Sequence, residues 1–115
     1  MQKTALRKWD VFLADLNPSR GTEPGKVRPV VIVQTDLLNG FHPSTIVCPI
    51  SSQVQADSKI LRVHLKSKEA GLDHESDILV DQLRAIDNKR LIRRLGRLSP
   101  KTGQRLHENI LTLLT

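Results

Sequence analysis

Two charged residues stand five positions apart in the stretch GTEPGKVRPVVIVQ, Gly21 to Gln34: Glu23 and Arg28. A guanidinium offers a planar set of donors matched to phosphate oxygens. A glutamate with the ordinary pKa of about 4.3 is ionised at neutral pH and can take a proton from a hydroxyl. Together they could hold a phosphate and activate a nucleophile beside it, or they could form an ion pair that only ties the loop down. The surrounding residues stiffen the loop without straightening it. Gly21 and Gly25 allow positive φ or a close approach of backbone to ligand. Pro24 and Pro29 fix φ, and Pro29 drives Arg28 into an extended conformation at the start of an apolar run.

Ser51, Ser52 and Gln53 follow a second apolar run, STIVCPIS, so at least one hydroxyl should emerge at the rim of the fold. Ser-Ser-Gln is also ordinary turn chemistry. A third polar cluster, Asp73-His74-Glu75-Ser76-Asp77, has the residue types of a metal loop but lacks the spacing of a calcium loop or a zinc helix. His42, His64, His74 and His107 show no paired spacing, and no glycine-rich phosphate motif is present. The residues call for no metal or cofactor.

These groups need elements to hold them. Trp9–Leu16 reads as a first strand ended by the turn signal Asn17-Pro18. Arg28–Gln34 is rich in β-branched residues and reads as a strand buried on both faces. Ser44–Ser51 is a third strand, in which Pro49 suggests an edge or a bulge. Ile60–Lys66 alternates, with Ile60, Leu61, Val63 and Leu65 inward. Asp77–Ile86 and Leu91–Leu98 read as two more strands. Ser99-Pro100 marks a helix start, and Leu106, Ile110, Leu113 and Leu114 follow as one apolar stripe. Short strands at regular intervals followed by one helix predict a mainly β fold, a small barrel with a C-terminal α-helix, as a single domain over residues 1–115.

The chain has 115 residues and a net charge of +6. Met1 to Leu83 carries ten basic and ten acidic residues, whereas Arg84 to Arg105 carries eight basic residues against Asp87 alone. Such a run attracts polyanions, or serves only as a solvated face. Cys48 is the one cysteine, which rules out an internal disulfide and fits a reducing cytoplasm. The first residues lack the apolar stretch of a signal peptide, and no segment approaches the ~20 apolar residues of a membrane span. A soluble cytoplasmic protein is expected.

Three stretches together resemble the MazF/PemK family of toxin endoribonucleases: WDVFLADLNPSRGTEPGKVRPVVIV, VCPISSQ and DILVDQLRAIDNKRLIRRLGRLS. Asp10, Asp15, Pro18, Gly21, Glu23, Gly25, Arg28 and Pro29 fall where that family has them. The resemblance runs from about Lys8 onward and implies an SH3-like β-barrel, usually a homodimer. It implies metal-independent cleavage of single-stranded RNA by attack of a 2′-hydroxyl on the adjacent phosphate, and an acidic antitoxin that fills the same groove. It places catalysis at Glu23, Arg28 and Ser51. RNA contacts fall at Lys26, Ser52, Gln53, Asp81, Gln82 and Arg84. Glu23 would be the base and Arg28 would stabilise charge on the pentacoordinate phosphorus, because arginine stays protonated. Ser51 would hydrogen-bond a phosphate oxygen. Many relatives have Thr at that position, and relatives commonly have Gly where this chain has Trp9, whose indole would pack under the barrel or stack on a base. Two alternatives differ in class. A gyrase-poisoning toxin of the same fold would use an aromatic C-terminal tail, whereas this chain ends Leu113-Leu114-Thr115. A non-catalytic module would bind RNA or an acidic peptide through the basic run.

Overall fold

Short runs of β-branched and other apolar residues, several of them buried on both faces, build most of the molecule. In the computed structural model, residues 6–18, 21–22 and 26–115 are described. Glu23 lies outside them, as do Pro24 and Gly25. Among the described residues are seven strands: β1 (Asp10–Asp15), β2 (Val27–Ile32), β3 (Ser44–Ser51), β4 (Arg62–Leu65), β5 (Ser76–Leu79), β6 (Arg84–Asp87) and β7 (Leu91–Arg97). The helix α1 (Pro100–Leu114) follows. All pairings are antiparallel, in the order β4-β5-β3-β2-β1-β7, with β6 also on β3.

Side chains on successive strand residues point to opposite faces, and both faces of β1–β2–β3 are covered. Val11, Val31 and Cys48 lie side by side in register and join Ile50, Val63, Leu65, Ile78, Leu98 and Leu106 in one core. Phe12, Ala14, Val30, Ile32 and Val47 point the other way and pack with Ile86 and Leu91 in a second. The expected double burial of the second strand is therefore observed.

Three expectations change. Pro49 is on neither an edge nor a bulge of an outer strand, because β3 is the central strand. One side of β3 pairs with β6 over Ser44–Val47 and with β5 over Ile50–Ser51, and Pro49, which has no N–H to give, falls between the two pairings. Asp77–Ile86 is not one strand. The 3-10 turn Val80–Gln82, with Leu83 after it, separates β5 from β6, burying Val80 and displacing Asp81 and Gln82 from the ladder. Ile60 and Leu61 are exposed, since β4 begins at Arg62.

The two outer strands, β4 and β7, are brought together through the segment after β4. There the backbone of Ala70 and Gly71 runs so close to Leu95 and Gly96 of β7 that a Cβ on Gly71 would lie 2.0 Å from the Leu95 carbonyl oxygen. The same Gly71 has φ +79°. A Cβ on Gly96 would lie 2.4 Å from the Ala70 carbonyl oxygen. The barrel closes at this contact. Helix α1 starts at the Ser99 cap, whose Oγ accepts from the Thr102 N–H at 3.2 Å. It buries Leu106 against the barrel; Ile110 packs in part, while Leu113 and Leu114 stay exposed. Trp9 sits under this helix. Gly103 leaves room for the indole, since a Cβ there would come within 2.9 Å of Nε1. Trp9 also has φ +77°, a left-handed backbone conformation that favours glycine. Burial of the large ring against the core offsets that strain.

Candidate functional site

The ends of β2 and β3 come together on one side of the barrel. Beside them lie the 71–76 segment and Arg93 and Leu95 of β7. They enclose an open groove of about 820 Å³. Its wall holds Lys26 and Arg28 from the start of β2, Ser51, Ser52 and Gln53 from the end of β3, Asp73 and His74 from the loop before β5, and Arg93 from β7. Among the described residues the groove carries three cations, Lys26, Arg28 and Arg93, against one carboxylate, Asp73. Neither Phe nor Trp lines it among those residues. A phosphate-bearing chain suits such a wall better than a flat aromatic ligand does.

Local hydrogen bonds place each side. At the β1–β2 loop the Lys26 N–H donates to Asn17 Oδ1 at 2.6 Å, and the Leu16 N–H donates to the Lys26 carbonyl at 2.9 Å. Arg90 fastens the same loop from β7's side, donating through Nη1 to the Asp15 carbonyl at 3.1 Å and to the Asn17 carbonyl. Arg28 then emerges half-buried, opposite Ala14 of β1. On the other wall Ser51 Oγ accepts the Gln53 N–H at 3.1 Å. That bond fixes the oxygen and leaves the hydroxyl proton to be donated. It restrains a side chain that lacks the β-methyl of threonine.

The turn after Ser51 rests on one buried carboxylate. Asp77 is 1% exposed. Its Oδ2 accepts the Gln55 N–H at 2.8 Å and Arg62 Nη1 at 3.2 Å, while Arg62 Nη1 also donates to the Gln53 carbonyl at 2.7 Å. His64 stands between Asp77 Oδ1 at 3.1 Å and Glu75 Oε2 at 3.0 Å. The acidic cluster 73–77 is thus divided. Glu75 and Asp77 hold His64 and the turn, and Asp73 and His74 face the groove. Among the described residues no group of three or more His, Cys, Asp or Glu side chains is gathered as a metal site.

Of the residues singled out in the sequence, Lys26, Arg28, Ser51, Ser52 and Gln53 meet in this groove, and Glu23 lies outside the described residues. Asp81, Gln82 and Arg84 are not in its lining. The three-residue turn carries Asp81 outward. Arg84 opens β6 opposite Val47, half-buried, with Nη1 lacking a hydrogen-bond partner among the described residues. Arg93 and His74 join the groove without having been singled out for it. Arg93 was hidden in a basic run and His74 in an acidic cluster, and neither carried a spacing signal.

Fold and groove define a small antiparallel β-barrel with one C-terminal helix and a cationic, hydroxyl-bearing groove at its rim. Residues 7–114 match the model of the PemK-like, MazF-like toxins of type II toxin–antitoxin systems. The chain belongs to that family. Its fold is similar to that of the Mycobacterium tuberculosis toxin MazF-mt6, with a TM-score of 0.77 and 23% identity over 91% of this chain and 95% of that one. It is also similar to MazF from Deinococcus radiodurans, with a TM-score of 0.80 and 21% identity over 95% and 96%. A mycobacterial endoribonuclease in complex with its cognate antitoxin matches with a TM-score of 0.73 and 16% identity over 96% and 94%. No helix among the described residues is long and apolar enough to cross a membrane.

Proposed function

We propose that this toxin is a sequence-specific endoribonuclease that cuts single-stranded RNA without a metal and so blocks translation in the cytoplasm. The observation that carries the reading is the meeting of Arg28 and Lys26 with Ser51 in one polar groove. RNA lies with a phosphate against these groups. Glu23 takes the proton of the adjacent 2′-hydroxyl, and the 2′-oxygen forms a bond to phosphorus. Arg28 stabilises the added charge on the pentacoordinate phosphorus, and Ser51 donates to a non-bridging oxygen. The bond from phosphorus to the 5′-oxygen breaks, leaving a 2′,3′-cyclic phosphate and a 5′-hydroxyl. The leaving oxygen is protonated by water or by His74, an imidazole in the same groove. Asp81, Gln82 and Arg84 contact RNA beyond the groove, from the far end of β5.

The active form is a homodimer, and an acidic antitoxin covers the groove. The antitoxin-bound structure among the similar folds supports the second statement. The exposed Leu111, Leu113 and Leu114 at the end of α1 support the first. Incubation of the purified protein with a long single-stranded RNA in EDTA tests the reaction. Cuts within one short motif, with 5′-hydroxyl ends and absent in Arg28→Ala, are expected. Intact RNA from folded protein would overturn the reading.

A further inference from the structure

Beside the groove lies a second hollow of about 280 Å³, between the 55–59 loop, β4 and the first turns of α1. Lys59, Arg62, His64 and Arg105 line it, and Asp77 is the only carboxylate among the described residues of its wall. Asp77 is buried and already holds the Gln55 N–H, Arg62 and His64. Arg62 uses Nη1 for both of its contacts, so Nε and Nη2 keep their donors. Ser51 and His64 both lie opposite Asp77 in register, so these three side chains share one face of the sheet, and Arg62 lies two residues from His64 on the same face. The hollow and the Ser51 wall of the groove are therefore neighbours on one surface, linked by the Gln53–Gln55 turn that Arg62 anchors. Neither Phe nor Trp is among the described residues that line the hollow, so a base finds no broad ring there to stack on. It suits phosphate and not nucleobase.

We propose that this hollow is a second phosphate subsite, which takes a backbone phosphate of the RNA flanking the cleaved bond. The proposal rests on the ribonuclease reading of the groove and adds the path of the strand beyond it. Lys59 and Arg105 are both exposed, so exchanging them leaves the core intact.

The test compares wild type with Lys59→Gln/Arg105→Gln, using labelled 2′-O-methyl RNA of about 12 and about 4 nucleotides, lengths that span the usual single-strand site sizes. Methylation removes the nucleophile, so binding is read independently of cleavage, and failure of the ribonuclease reading would show separately in the wild-type cleavage assay. Binding of the longer RNA should weaken at least about tenfold, with its dependence of log K on log salt less steep by about 0.7 for each phosphate that the variant no longer neutralises. The shorter RNA should lose much less. Equal loss on both lengths, or an unchanged salt slope, would overturn the proposal. So would loss of polyglutamate binding with RNA binding intact, which would assign the hollow to an acidic protein segment.

Discussion

Three residues show how far a side chain's meaning depends on its neighbours. Ser51 has no β-methyl to fix its rotamer, and the Gln53 N–H restrains its hydroxyl oxygen at 3.1 Å. Trp9 takes a backbone conformation suited to glycine because its ring has a seat against Gly103. Cys48, in the centre of β3, faces the barrel interior and is fully buried. Burial first, and the nearby Asp81 charge second, push its thiol from 9.0 up to about 12. A raised pKa favours the protonated form in the fold. The stability that Cys48 contributes is therefore complete below pH 9.0, where folded and unfolded thiols are both protonated. It is lost as the pH climbs from 9.0 towards about 12, where only the unfolded thiol ionises. Urea midpoints of wild type should fall above pH 9.0 more steeply than those of Cys48→Ala, and a thiol reagent should label Cys48 only on unfolding.

Among the elements, β7 does most to shape the molecule. Val11 pairs with Gly96 and Phe12 with Arg94, so Leu95 is an extra residue bulged out of the ladder. The bulge restores Arg94 and Arg97 to one face, where Arg94 Nε lies 3.2 Å and Arg97 Nη1 2.9 Å from the same oxygen of the buried Asp10. It also pushes the Leu95 carbonyl against Gly71, where the barrel closes. Gly96→Ala should therefore be costly although alanine is a small residue. Its Cβ would meet a backbone oxygen at 2.4 Å, which cannot rotate away as a side chain could. We expect a loss of about 2 kcal/mol or more, in the range of overpacked cores, read as a lower urea midpoint. The strands themselves were legible, because short β-branched and apolar runs bounded by turn residues are a local property of the chain. The three-residue turn between β5 and β6 was not, because Ile78, Leu79 and Val80 read as one apolar run whether or not the chain turns at Val80.

At the scale of the whole molecule, the basic run Arg84–Arg105 proves not to be one patch. Arg90 fastens the β1–β2 loop, Arg94 and Arg97 sit on Asp10, Arg93 faces the groove and Arg105 faces the neighbouring hollow. The apolar end of α1 belongs to the same scale, since the described residues of one chain leave Leu113 and Leu114 exposed. The protein should sediment as a dimer. Leu113→Ser/Leu114→Ser should weaken that dimer about tenfold or more, given the ~1.5–3 kcal/mol that burying a leucine contributes. The sequence by itself determined the class of fold, the family and the residues Arg28 and Ser51 that come to line the groove. Those rest on short stretches whose residues act on their own neighbours: prolines that set φ, β-branched runs that pair, a guanidinium held at a strand's start. Only the tertiary structure decided which remote groups join them. His74 and Arg93 reach the groove, and Asp81, Gln82 and Arg84 stay outside its lining, through a bulge, a three-residue turn and a close approach of two backbones. Each of these depends on contacts between residues far apart in the chain, which no local pattern records.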